Sequence, residues 1–369
     1  MRIAYLGLKG LPGLFGGVER HVEELSSRIS AAGHDVTVFC RKAYTPAEGE
    51  YLGVKLRLLP TIHSKHLDAT IHSFIGSIYA GLSDFDIIHF HGIGPASFSV
   101  ISKMLGRKVV VTVHSKDYLR SKWGKFARWA LLKAEWIASK TPNQLIAVSN
   151  DLANHLSQYN RNVHYIPNGV SDPVWVKPGI NLEELDLKPQ TYLLFAGRLS
   201  PEKGVMLLID SYKRVPGSHK LVIVGGTSHT DEYVEELQRT AGSDSRIIFA
   251  GYRNPDAMQE LYSNALGFVL PSEHEGLPVA ALEALSYGLP IIASDIPPCR
   301  EILNNKDEFF GMLVEPKKVE NWTKSMNDFL KNPMDLQKKA DRGSKFVAKY
   351  YHWDVVAQKT LQVYHLLGE

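Results

Sequence analysis

A chain of 369 residues, 44% hydrophobic and 22% charged, has room for two domains that each bury a core, and its composition excludes a disordered or fibrous protein. No apolar run approaches about 18 residues, which argues against a membrane span, and Cys40 and Cys299 lie too far apart in sequence to suggest a redox pair or a cysteine metal site. The formal net charge of +3 is unevenly divided, with 20 Lys and Arg against 12 Asp and Glu in residues 1–170 and 22 against 27 in the remainder, so the first half suits an anionic partner whose class charge alone does not choose.

The chain opens on a strand, "RIAYLGL", rather than a leader, and the expectation is a cytoplasmic protein. A helix follows from Val18, with Val22, Leu25 and Ile29 on its stripe. "DVTVFC" (35–40), "DIIHFH" (86–91), "KVVVTVH" (108–114) and "QLIAVS" (144–149) read as further strands, their near-continuous β-branched runs suiting parallel strands buried on both faces. Residues 171–190 carry three prolines and read as a linker between a first domain at 1–170 and a second at 191–350. The rhythm then restarts with "YLLFAGR" (192–198), "KLVIVGG" (220–226), "RIIFAGY" (246–252), "GFVLPS" (267–272), "PIIASD" (290–295) and "GMLVEP" (311–316). Two such series predict an α/β protein of two facing, Rossmann-like, doubly wound domains. The closing helix in 351–369 has the length to cross back to the first domain.

The loop after the first strand has glycines at 7, 10, 13, 16 and 17. No G-x-G-x-x-G passes through them, and Cys40-Arg41 stands where a dinucleotide fold would place a ribose-binding carboxylate, so a nicotinamide or flavin site is not expected. Gly16-Gly17 at a helix N-terminus would let an oxygen-rich ligand approach unpaired amides, or would serve as a plain turn; the loop alone leaves both open.

In the second half Arg198 ends a strand and Lys203 follows five residues on, a guanidinium fork and an ammonium at the edge where open α/β sheets bind ligands. Glu275 ends a loop, Gly276-Leu277-Pro278 opens a helix, and Glu283 sits in an apolar run, where a carboxylate needs partners. The Glu275 to Glu283 spacing, the Arg198 and Lys203 pair, the Gly16-Gly17-Val18-Glu19-Arg20 loop, "TVH" ending at His114 and "IPNGV" at 166–170 together resemble the GT4 family of retaining, GT-B-fold glycosyltransferases, in the right order over nearly the whole chain.

That resemblance implies a glycosyltransferase acting from a nucleotide-diphosphate sugar as co-substrate, with no cofactor and no metal, on a glycan or polyprenyl-linked acceptor in cell-surface polysaccharide or glycolipid synthesis. Arg198 and Lys203 would bind the diphosphate, Glu283 the ribose, and Glu275 the sugar hydroxyls, helped by the amides of Gly276 and Leu277. Tyr252 and Arg253 would frame the base, His114 would sit under the donor sugar, and Gly16 and Gly17 would approach the phosphates or the acceptor. Glu19, His21 and Ser149 stand as acceptor-side residues or as core and capping residues. The alternatives are another enzyme of this fold, such as a nucleotide-sugar epimerase, and a non-catalytic sugar-nucleotide-binding protein.

Two metal-type features are set aside, and a third feature stays open. "DFD" at 84–86 spells a metal-binding D-x-D but lies on the entry side of a strand, and His89 and His91 lack a third ligand in the sequence for a zinc site. Residues 119–140 interleave Arg120, Lys122, Lys125, Arg128, Lys133 and Lys140 with Trp123, Phe126, Trp129 and Trp136. This pattern fits peripheral contact with an anionic membrane at the inner face of the cell membrane, or a helix whose aromatics pack inward; no nucleic-acid reader motif accompanies it.

Overall fold

The computed structural model describes residues 1–369 except 14, 15, 46, 62–67, 120–123, 227–230, 306, 307 and 369. Its two units are Met1–Gly169 with Trp353–Glu369, and Val170–His352.

The first unit holds β1 (Arg2–Leu6), β2 (Asp35–Arg41), β3 (Gly49–Tyr51), β4 (Val54–Leu59), β5 (Ile87–His91), β6 (Lys108–Val113), β7 (Gln144–Ala147) and β8 (Val163–Tyr165). They form one sheet in the order β3-β4-β2-β1-β5-β6-β7-β8, parallel throughout except for the antiparallel β3–β4 pair. Strands β3, β4 and β8 add to those expected: β3 and β8 are three residues long, too short for a periodic signal, and β4 alternates with charged residues near the sheet margin.

One face of this sheet is apolar toward the strand starts, where Ile3, Val36, Ile87 and Val110 pack against Val22, Leu25 and Ile29 of the helix Gly17–Ala31 and against Trp353, Val356 and Tyr364 of the terminal helix Trp353–His365. Residues two apart on a strand share a face, so toward the carboxyl ends the same face presents Tyr5, His89, His91 and Thr112. Strand order reverses between β1 and β5, the position where open parallel sheets leave a crevice beyond their carboxyl ends.

The second unit holds β9 (Tyr192–Ala196), β10 (Lys220–Val224), β11 (Ile247–Gly251), β12 (Gly267–Leu270), β13 (Ile291–Ser294), the short hairpin of β14 (Asn304–Asn305) and β15 (Glu308–Phe309), and β16 (Met312–Val314). Its parallel six-stranded sheet runs β11-β10-β9-β12-β13-β16, so its reversal lies between β9 and β12. Glycine sets the loop spacing there. Gly204 is left-handed at φ +69°, and a Cβ on it would stand 2.2 Å from the carbonyl oxygen of Pro271; only a residue without a side chain lets the loop after β9 press on the loop after β12.

Residues 171–190 are more ordered than a linker reading suggests. They contain the helix Ile180–Glu184, and the Glu260 carboxylate accepts from the backbone of Gly179 at 2.7 Å, from Leu182 at 3.1 Å and from the Asn181 amide at 2.6 Å. Burial raises the Glu260 pKa, but these hydrogen bonds outweigh it and hold the group below the usual carboxylate range.

Candidate active site

In the second unit β9 runs out through Gly197 and Arg198 into a one-turn 3₁₀ helix, Pro201–Lys203. Across the reversal, β12 leads through Pro271–Pro278 into the helix Val279–Ser286, with Pro278 at its N-cap. The two loops are joined by the Glu273 N–H donating to the Glu202 carbonyl at 2.9 Å and by Lys203 Nζ donating to Glu275 Oε1 at 2.5 Å. The side chains of Lys203 and Glu275 are only 17% and 9% exposed, so the pair is poorly screened by solvent and each charge depends on the other. One of the three ammonium donors goes to Glu275. Arg198 is half-buried on the outgoing β9 loop. The hydroxyls of Ser200 and Ser272, which the sequence reading passed over, are buried beside these loops without a hydrogen-bond partner among the described residues; a serine just past a strand's carboxyl end was the available signal.

Glu283 is half-buried rather than sunk in the apolar run, and its Oε2 accepts from the Tyr262 hydroxyl at 3.2 Å. Burial first, and the Glu283 charge second, push the Tyr262 phenol well up, so it stays a neutral donor. Gly276 and Leu277 are buried at the turn into the Glu283 helix. Tyr252 stands exposed after β11, while Arg253 is held by Glu184 at 2.8 Å and by the Ala250 carbonyl at 3.0 Å, which ties β11 to the segment 171–190.

In the first unit the parallel register sets His91 beside Thr112, so His114, two residues on, follows on the same face. His91 Nδ1 and His114 Nε2 lie 3.1 Å apart with the rings stacked at 5.4 Å. His21, from the first helix, approaches His114 edge-on at 4.8 Å, and its Nδ1 bonds Asn168 Oδ1 at 3.0 Å. Beneath them His89 bonds the Tyr364 hydroxyl at 2.6 Å and the Thr112 hydroxyl at 2.7 Å, and Tyr364 bonds the Tyr5 hydroxyl at 2.8 Å.

The sequence offered His89 and His91 without a third ligand; the fold brings His21 and His114 to His91, one ring nitrogen of each within 4.8 Å of the others. Nitrogens on one tetrahedral ion stand about 3.4 Å apart, so a group spread this far would have to draw in to hold one. As it stands it is a hydrogen-bonded stack. Burial lowers the His21 pKa to about 4 against the raising effect of Asn168, and burial drops His89, His91 and His114 well below the ordinary value. All four rings are therefore neutral at pH 7.

Gly16 caps the first helix, its carbonyl accepting from the Arg20 N–H at 3.1 Å. Glu19 is buried, and its Oε1 accepts from the Lys9 N–H at 3.1 Å, stapling the glycine loop. The Ser149 hydroxyl accepts from the Leu152 N–H and caps the helix Asn150–Leu156.

The aromatic residues of the helix Lys125–Lys140 face outward: Phe126 is 80%, Trp129 56% and Trp136 51% exposed, while Glu135, Ala138 and Ser139 form its buried side. Arg120, Lys122 and Trp123 lie outside the described residues. Among the described residues, no helix is long and apolar enough to cross a membrane.

Comparison with known proteins agrees across both units. The family model described as Glycosyltransferase Family 4 matches residues 15–172, and that described as Glycosyl transferases group 1 matches residues 181–346. An uncharacterized glycosyltransferase of Methanocaldococcus jannaschii is 27% identical over 100% of this chain and 99% of its own length. The structure of a sucrose-phosphate synthase from Thermosynechococcus elongatus superposes with a TM-score of 0.85 at 21% identity, covering 100% of this chain and 99% of that one. Anabaena HepE, solved in complex with UDP and glucose, gives 0.81 at 17% identity over 99% and 100%.

Proposed function

The chain belongs to the group 1, family 4 glycosyltransferases and has their GT-B fold, and from that premise we propose that it moves a sugar from a nucleotide-diphosphate donor to a glycan or lipid-linked acceptor with retention of configuration and without a metal ion. The observation that carries this reading is the largely buried Lys203–Glu275 pair with Arg198 at the reversal of the second sheet. Arg198 and Lys203 take the diphosphate and stabilise the charge that grows on it as the sugar–oxygen bond breaks. Glu275 and the Gly276 and Leu277 amides hold sugar hydroxyls, Glu283 holds the ribose, and Tyr252 and Arg253 frame the base.

Glu275 and Glu283 both belong to the second unit, eight residues apart on a loop and a helix. A pair of carboxylates flanking the scissile bond is not what this arrangement favours. A front-face route needs none: a departing diphosphate oxygen takes the acceptor proton while the acceptor oxygen bonds the anomeric carbon on the same face. The neutral His114 hydrogen-bonds the donor sugar, and the Gly16-Gly17 helix end receives a phosphate or the acceptor.

To test this, nucleotide-diphosphate release from uridine, guanosine and thymidine donors is followed in EDTA, with the anomeric configuration of the product read by NMR. The expected result is turnover in EDTA with a retained anomer, lost in Lys203→Ala and Glu275→Ala; restoration only by added divalent ion, or full activity in both variants, would contradict it. The outward aromatic and basic face of Lys125–Lys140 supports docking on an anionic bilayer, where a lipid-linked acceptor is met. Wild-type protein should sediment with anionic vesicles at low salt and Trp129→Glu should not; equal recovery of the two in the supernatant would remove this part of the reading.

A further inference from the structure

Each neutral imidazole has one N–H and one lone pair, and the surroundings of His91 decide where its proton sits. His91 is fully buried, and its Nε2 has no hydrogen-bond partner among the described residues. Its Nδ1 faces His114 Nε2 at 3.1 Å. If Nε2 carried the proton, an N–H donor would be buried unpaired; with the proton on Nδ1, only a lone pair is left over. Orphaned buried donors are rarer and costlier than under-used acceptors. The proton therefore belongs on Nδ1 and is donated to His114.

We propose that His91 is a positioning residue that fixes His114 in its Nδ1–H tautomer, so that His114 meets the reactants as a hydrogen-bond donor and not as a base. This deepens the reading of His114 given above and rests on it. With Nε2 of His114 occupied by His91, the nitrogen left to a ligand is the protonated Nδ1 on a half-buried ring. An N–H suits an oxygen acceptor such as a hydroxyl oxygen of the donor sugar, and leaves the acceptor proton to the departing diphosphate. His89, held by Tyr364 and Thr112, packs at a tilt against His91 at 4.3 Å, Tyr5 stacks on it at 5.3 Å, and His21, held by Asn168, approaches at 5.6 Å. A ring packed this way has little freedom to flip its nitrogens.

Two substitutions separate the donated hydrogen bond from mere packing. His91→Phe keeps a ring of similar shape and removes the donor; His91→Asn places an amide N–H near the position of Nδ1–H. Long-range proton–nitrogen spectra of the full chain labelled with ¹⁵N-histidine, with His114 assigned by difference from His114→Gln, should show the Nδ1–H tautomer in the wild type, its loss in His91→Phe and its return in His91→Asn. Turnover should follow: kcat about tenfold or more down in His91→Phe with the donor KM little changed, and recovered within about twofold in His91→Asn. A wild-type His114 protonated on Nε2 would overturn the proposal, as would an unchanged tautomer and kcat in His91→Phe while His114→Ala is inactive. Full turnover in His114→Ala would instead overturn the role given to His114, leaving the tautomer to be judged by the spectra.

Discussion

The two units solve one topological problem with opposite chemistry. Each sheet reverses its strand order once near its middle, between β1 and β5 in the first and between β9 and β12 in the second. At the first reversal stand four neutral imidazoles and a glycine loop, held by hydroxyl and amide partners. At the second stands a nearly buried ammonium–carboxylate pair. The shared fold does not assign these roles; the side chains do. A charged pair fits a diphosphate whose charge grows during reaction, whereas neutral rings can orient polar groups without a competing charge.

The comparison breaks most sharply at the second reversal. On the proposed function Lys203→Ala removes a cation from the diphosphate, and it leaves Glu275 without its Lys203 partner, so turnover should fall about 100-fold or more and the folded state should weaken by about 3 kcal/mol; steady-state kinetics and chemical unfolding of the same sample read both. Next in size is the backbone. A Cβ on Gly225, at φ +159°, would lie 1.8 Å from the Gly197 carbonyl oxygen, so Gly225→Ala should cost about 3 kcal/mol and spread the β9 and β10 loops.

Acidification should act on the first unit. His21 and His72 have folded pKa values lowered to about 4 from 6.5, chiefly by burial, His72 lying near the Arg41–Asp68 pair. The unfolded chain then takes up protons that the fold refuses, so stability present above pH 6.5 is lost as pH falls toward 4. The loss is about 2 kcal/mol per histidine by pH 5. Hydrogen exchange, corrected for intrinsic rate, should show β5 and β6 losing protection between pH 7 and 5; unchanged protection would remove the neutral-histidine account. The smallest effect expected is Tyr364→Phe, which takes the hydroxyl from Tyr5 and His89 and should lower stability by about 1–2 kcal/mol in a denaturant titration.

How much of this the sequence revealed follows from what each signal depends on. The central strands were legible because burial on both faces demands unbroken apolar or β-branched runs, as in "YLLFA" and "KVVVTV". Strand β4, one in from the sheet edge, was not, since "VKLRLL" alternates with charge, and β3 and β8 are too short for any period. The residue types proposed for the donor site stand out by local spacing, yet the Lys203–Glu275 bond joins positions 72 apart and exists only after folding. The histidine stack is harder still: His21 reaches His91 and His114 through the packing of the first helix, and the parallel register, invisible in sequence, sets His91 beside Thr112. The outward turn of Trp129 and Trp136 had a readable counterpart in the small residues Ala138 and Ser139 on the buried side.

Calorimetric titration of nucleotide diphosphates into wild-type, Lys203→Ala and His114→Ala proteins tests the division of labour most directly. The account predicts that the preferred nucleotide binds the wild type and His114→Ala alike and binds Lys203→Ala at least about tenfold more weakly, a loss of about 1.4 kcal/mol. Undiminished affinity in Lys203→Ala, with binding lost instead in His114→Ala, would contradict it.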